Sequence, residues 1–229
     1  MSQKKVSLDY PYEASNFKRS GLADWLELYL HDHGFLRLAF QNLYQIDNYM
    51  WRSNQPSPKQ IEHAHNKFGI KTILNLRGPR VSGGWQLEAE VCDKLNINLI
   101  NFRVRSRAAP EKEMLLKVPS LFSSIQKPSL LHCKSGADRA GLMSALYVLV
   151  VMKKPAIEAL KQLSIKYLHI KHAKTGILDA FIASYIPFEK QGIEFIKWVE
   201  EIYDPEKLSS DFQAQPIASR FVDSILKRE

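Results

Sequence analysis

The longest apolar stretch of the chain is broken by one polar island. Leu130 and Leu131 lead into His132-Cys133-Lys134-Ser135-Gly136-Ala137-Asp138-Arg139-Ala140-Gly141, and an apolar run from Leu142 to Met152 follows. That run is too short to cross a bilayer and reads as a buried helix. The lead-in, Ser129 to Cys133, reads as a central strand. Upstream, Met50-Trp51-Arg52 reads as an edge strand. A helix begins at Pro56 or Pro58 and ends near Phe68, where Gly69 supplies a stop. Lys71 to Leu76 is a buried strand, Gly83 and Gly84 mark a flexible loop, and Trp85 to Leu95 has helical spacing. Asn98 to Val104 is a further strand, and Lys112 to Ile125 a helix bent at Pro119. Helices follow over Pro155–Tyr167, Thr175–Tyr185 and Gly192–Tyr203. Strands alternating with helices predict an α/β fold with a mostly parallel central sheet flanked by helices. The polar island then forms the loop between a central strand and the buried helix.

The two ends read differently from the middle. Residues 1–44 form a polar arm and a helical extension, dense in Leu, Trp, Phe and Tyr from Leu22 to Tyr44. Asp24, Glu27, Asp32 and Asp47 dilute any basic face there, so packing on the domain is favoured over lying in a membrane. Residues 45–186 form the domain, and residues 187–229 a C-terminal helical extension. The chain has 229 residues, 45% hydrophobic and 24% charged, enough for one domain with a sizeable core. Its two cysteines, Cys92 and Cys133, suggest no disulfide framework, and no apolar leader follows Met1. A cytoplasmic protein without a transmembrane segment is expected. The net charge of +8 favours anionic partners. No zinc spacing or aromatic RNA-binding strand accompanies it, so nucleic acid is set aside.

The island has the parts for chemistry at phosphorus. A loop between strand and helix turns its N–H groups toward one point, and the helix N-terminus adds partial positive charge there. Such a cradle holds a phosphate-sized anion and favours the thiolate of a cysteine at its base. Arg139, separated from Cys133 by five residues, can grip two anion oxygens with its planar fork. Gly136 supplies a positive φ or a close approach of the backbone to phosphate.

The His132-Cys133-x5-Arg139 segment resembles the signature loop of the protein tyrosine phosphatase superfamily, in its cysteine-dependent dual-specificity branch, with atypical, bacterial-like features. Trp51-Arg52-Ser53-Asn54-Gln55-Pro56-Ser57 and Phe68-Gly69-Ile70-Lys71-Thr72-Ile73-Leu74-Asn75-Leu76-Arg77-Gly78 resemble the opening of compact atypical members, where an exposed R-S-x-x-P turn precedes the first helix. The resemblance spans roughly residues 45–186. It implies a phosphatase that hydrolyses phosphomonoesters through a cysteinyl-phosphate intermediate, with no metal or other cofactor. Cys133 is then the nucleophile and Arg139 the phosphoryl clamp. Lys134, Ser135, Gly136, Ala137, Asp138 and Arg139 surround the phosphate, and His132 orders the loop.

The general acid stays open between two carboxylates. Many relatives carry an aspartate about 30 residues before the cysteine, but Val104-Arg105-Ser106-Arg107-Ala108-Ala109-Pro110-Glu111 offers only Glu111. Some bacterial relatives place an aspartate directly before the arginine, and Asp138 matches that position. Asp138 is favoured, with Glu111 the alternative acid or a helix cap. Ala140 departs from the usual Ser or Thr after the arginine, which lends weight to a non-catalytic phosphate-binding module as the rival reading. Lys134 follows the cysteine as in lipid- and inositol-directed relatives. Arg105, Arg107 and the run Lys166, His169, Lys171, His172, Lys174 either widen that positive field or are a solvated edge. The expected partner is a phosphorylated protein, an anionic small molecule or a lipid headgroup.

Overall fold

The computed structural model describes Gly21, residues 41–79 and residues 83–214. The expected helical extension lies outside them except at its end, where Tyr44 opens a strand instead. Five strands form one sheet: β1 (Tyr44–Asp47), β2 (Met50–Ser53), β3 (Thr72–Asn75), β4 (Asn98–Asn101) and β5 (Ser129–His132). Their order is β1-β2-β5-β3-β4. β1 pairs antiparallel with β2, and all other pairings are parallel. The expected mostly parallel α/β sheet is present, with β5 at its centre. Met50–Ser53 is not the edge, because β1 covers its outer side.

Eight α-helices are described: α1 (Pro58–Phe68), α2 (Gly83–Lys94), α3 (Lys112–Ser124), α4 (Asp138–Val150), α5 (Ala156–Leu160), α6 (Ile177–Glu189), α7 (Phe195–Glu201) and α8 (Pro205–Ala214). Ser57 and Gln60 close a capping box at the start of α1, and the Gly69 N–H returns to His65 O to end it. Gly83 and Gly84 open α2 and are buried, so they are not the loop their composition suggested. The single helix expected over Pro155–Tyr167 is cut short. α5 spans five residues, and the rest folds as turns with one short 3₁₀ piece, Ile165–Tyr167. The expected boundary after residue 186 falls inside α6.

Alternation along each strand sends side chains to opposite faces. Leu74, Leu131 and Met50 enter the larger core with α3, α4, α6 and α7. Ile73 and Leu130 enter the smaller one with Ile61 of α1 and Cys92 of α2. Residues 140–149 of α4 are all buried, which explains why this helix is apolar all round. Cys92 and Cys133 lie in different cores and are both free thiols.

The register decides where function can sit. Ser53 and Asn75 both align with His132, and Asn75 aligns with Asn101. Four carboxyl ends therefore finish level, where open α/β sheets bind ligands.

Candidate active site

The 133–137 loop joins β5 to α4, and Cys133 is its first residue, almost wholly buried. The Gly136 N–H donates to Cys133 Sγ at 3.2 Å, a bond that a thiolate accepts better than a thiol. Gly136 has φ 77, and a Cβ there would sit 2.7 Å from Asn54 N and 2.8 Å from Ser53 C. The expected positive φ is present, and the backbone that approaches this glycine closely is the chain's own β2 turn. α4 starts at Asp138 and aims its N-terminus at the loop.

The loop is held from behind by residues whose role the sequence pattern did not reveal. Arg52 is fully buried. Its Nη2 donates to Gly136 O at 2.8 Å and Ala137 O at 3.2 Å. Its Nη1 donates to Gln162 O at 2.7 Å, and its guanidinium lies 3.9 Å from the Tyr167 ring centroid. Burial lowers the Arg52 pKa to about 10, with Tyr167, Cys133 and Tyr44 opposing the drop, so it stays cationic at neutral pH. In a trans peptide the N–H points opposite to the C=O. Capturing the carbonyls of Gly136 and Ala137 therefore turns the N–H groups of Ala137 and Asp138 the other way. Asn42, also fully buried, donates from one Nδ2 to Ser135 O and Tyr167 O, both at 3.0 Å. The Gln55 N–H reaches Lys134 O at 3.3 Å, and its side-chain oxygen accepts from Arg77 Nη1. The R-S-x-x-P turn is thus buried scaffolding and not exposed. Gly141 sits against the clamp: a Cβ would meet Leu163 Cδ2 at 2.8 Å and Gln162 O at 3.1 Å, so a larger residue would press on the 162–163 segment that reaches Arg52.

His132 is fully buried, with Nε2 2.6 Å from Glu88 Oε1 of α2, which is equally buried. The two atoms meet outside hydrogen-bond geometry, so the contact is one of close packing. His132 Nδ1 lies 3.4 Å from Cys133 O, which ties the histidine to the loop backbone.

Asp138 and Glu111 part company here. His169 Nδ1 lies 2.7 Å from Asp138 Oδ1, and His169 Nε2 lies 2.7 Å from Asp179 Oδ2 on α6. Burial alone would lower the His169 pKa, but the bonds to Asp138 and Asp179 outweigh it and raise it to about 9. At neutral pH an imidazolium bridges two carboxylates. Glu111 occupies the N-cap position of α3 without a side-chain capping bond and pairs with Arg105 at 3.1 Å, both well exposed. Ser135 is exposed, and its Oγ accepts from Ala137 N at 3.4 Å. Arg139 is half-buried, and no ion pair among the described residues engages it.

The family described as DSP-PTPase phosphatase fused to NAD+ kinase matches residues 37–177, more than half of the chain. The chain belongs to that family. Solved structures agree on the fold. TpbA of P. aeruginosa superposes with a TM-score of 0.52 at 16% identity, covering 76% of this chain and 91% of its own. The Siw14 catalytic core gives 0.51 at 15%, covering 75% and 90%. A mutant form of Tk-PTP gives 0.50 at 15%, covering 65% and 97%. No curated protein sequence matches. As a phosphatase-family domain, the chain is expected to act on phosphorylated substrates. The family match begins at residue 37 and so takes in Asn42, which sequence reasoning had assigned to an extension. Charge in an apolar setting was the available clue to Arg52, since Met50 and Trp51 precede it. Nothing local marked Asn42, Glu88 or Asp179.

Proposed function

We propose that this chain is a phosphomonoesterase working through a cysteinyl-phosphate intermediate. The observation that carries the reading is the Gly136 N–H donated to Cys133 Sγ inside a loop whose carbonyls Arg52 draws back. Cys133 Sγ attacks phosphorus in line. The P–O bond to the leaving alcohol breaks with its electron pair going to oxygen, and Asp138 supplies the proton. Water then attacks the cysteinyl phosphate and gives a proton to Asp138, releasing phosphate and the thiolate. Arg139 and the loop N–H groups hold the phosphoryl oxygens as they become equatorial. Asp138 and His169 act as one proton-carrying unit. The proton rests on the imidazole and moves toward Asp138 as charge grows on the leaving oxygen, while Asp179 fixes the ring. The mechanism needs Cys133 as a free thiol, which suits a reducing cytoplasm.

A non-catalytic phosphate binder is the second reading. Its support is Ala140, which is fully buried and brings no hydroxyl to the thiolate. One experiment separates them. The protein is mixed with nitrophenyl phosphate, quenched in acid and digested. A phosphoryl group on the Cys133 peptide with a burst of nitrophenolate supports the enzyme. Phosphate binding with no burst and no turnover supports the binder. Phosphotyrosine belongs in the substrate panel, because TpbA has been crystallised with it, beside inositol phosphates and phospholipids.

A further inference from the structure

Beside the catalytic loop the usual placing of polar and apolar side chains is inverted. Ile165, Leu168 and Ile170 stand in solvent at 74%, 49% and 57% exposure, while Tyr167 and His169 between them are buried. Scattered exposed aliphatic residues are ordinary, but here three fall within six positions of one short segment. The arrangement is enforced. Tyr167 is pinned under Arg52, its carbonyl takes the Asn42 bond, and His169 is held between Asp138 and Asp179. Leu168 carries φ 64, a left-handed conformation that is unfavourable for leucine. The three aliphatic side chains are turned outward by the same contacts that build the active site.

The charged residues within this segment have one sign. From Lys161 to Gly176 the chain carries four lysines and no carboxylate. Lys166 and Lys174 are exposed, as is His172, and Lys134 adds a further cation in the catalytic loop itself. We propose that the 165–174 segment docks the active-site face onto an anionic lipid surface. Ile165, Leu168 and Ile170 enter the interface, and the lysines lie among the headgroups. The chemistry selects this occupant. A second copy of the chain brings the same lysines and a net charge of +8, and is repelled. A nucleic acid offers nothing to three aliphatic side chains. An anionic bilayer matches both. Docking does not depend on Cys133, whereas its consequence, that the substrate is a lipid-borne phosphomonoester, rests on the phosphatase reading.

The test uses the full chain and vesicles of phosphatidylcholine with and without phosphatidylglycerol. Wild type should sediment with the anionic vesicles and release as salt is raised. The triple variant Ile165→Ser, Leu168→Asn, Ile170→Ser should lose about tenfold or more in partitioning. Its thermal midpoint and its turnover of nitrophenyl phosphate should be unchanged, since all three side chains are exposed and none belongs to the catalytic machinery. Equal partitioning of variant and wild type, or no preference of wild type for anionic vesicles, overturns the proposal. So does a variant that keeps vesicle binding and instead fails on an acidic phosphopeptide, which would make the patch a protein-docking surface. Vesicle binding by a wild type that never turns over a phosphomonoester upholds the docking and sinks the phosphatase reading instead.

Discussion

Two loops leave the same end of the sheet and are held in opposite ways. The loop after β5 carries Cys133, and its backbone carbonyls are taken by Arg52, Asn42 and the Gln55 N–H. The loop after β4 carries Glu111. It is tied at its ends, by the Phe102 and Val104 N–H groups to Asn75 O and Leu76 O and by Tyr203 Oη to Pro110 O. Between those ties it presents Arg103, Arg105 and Arg107 to solvent. Its carboxylate is spent on an exposed pair with Arg105, a kind worth about 0–1 kcal/mol. Phosphoryl transfer depends mostly on positioned donors. The first loop holds its donors in position, and the second supplies charge without fixing it. Substitutions in the two loops should therefore differ by orders of magnitude.

The largest effect should come from Cys133→Ser. A serine hydroxyl in the same cradle is a far weaker nucleophile at neutral pH. Turnover of nitrophenyl phosphate should fall by at least ~10³-fold, or about 4 kcal/mol in barrier, with the thermal midpoint little changed. Activity within tenfold of wild type would remove the covalent mechanism.

Asp138→Asn comes next. General-acid contributions run about 10²–10⁴-fold, and they matter most for a leaving alkoxide. The variant should lose about that much on alkyl phosphates and far less on nitrophenyl phosphate, whose phenolate leaves unaided. The Asp138 partner makes the pH response readable. The His169 pKa is raised to about 9 from an ordinary 6.5. Its stabilising charge is fully present below about 6.5 and lost as pH climbs through about 9. The thermal midpoint of wild type should fall between those values, and His169→Gln should flatten that fall. A wild-type midpoint that is level from pH 7 to 10 would mean that the imidazolium is not held by its two carboxylates.

Arg52→Met tests the clamp itself. It strands Gly136 O, Ala137 O and Gln162 O in a buried setting. At about 1–3 kcal/mol per stranded group, a loss of about 3 kcal/mol or more is expected. For a chain of this size that is a midpoint drop of roughly 6–12 °C. Phosphate should also bind more weakly, because the N–H groups of the loop are no longer turned. An unchanged midpoint with unchanged phosphate binding would show that the loop holds its shape without Arg52.

The same contrast explains what the sequence could reveal. The strand, the loop and α4 were legible because their signals are local: an apolar run, a ten-residue polar island, another apolar run. Gly136 and Gly69 were legible because backbone geometry constrains single positions. The clamp was not, since Arg52 lies 84 positions from Gly136 and Asn42 lies 125 from Tyr167. Pairings of that range leave no periodicity. Arg52 was read in an edge strand and, through the resemblance, at an exposed turn, since the partners that bury it are distant in sequence. His169 was seen only as one cation in a basic run, and its burial between Asp138 and Asp179 belongs to tertiary packing. The run from Pro155 to Tyr167 has helical composition, yet α5 stops at Leu160 because Gln162 and Tyr167 are recruited by Arg52. Tertiary demand overrode propensity there.

Glu111→Gln should have the smallest effect, and it sharpens the comparison most. Its side chain is more than half exposed, makes no capping bond to α3 and, among the described residues, pairs with Arg105 at the surface. Breaking that pair costs at most about 1 kcal/mol, so the midpoint should shift by no more than roughly 4 °C. The ratio of alkyl to nitrophenyl phosphate turnover should stay within about threefold of wild type, which is under 1 kcal/mol. The substitution also unmasks Arg105, so the KM for a multiply charged anion should fall or hold, not rise. Measuring the same ratio in Glu111→Gln and Asp138→Asn decides which loop carries the acid. If Glu111→Gln produces the selective loss on alkyl phosphates and Asp138→Asn does not, the acid sits on the exposed loop. The resting structure would then be an open form, which has to close before the chemistry. If neither changes the ratio, the substrate or water supplies the proton, and the Asp138–His169–Asp179 cluster serves to hold α4 and α6 around the loop.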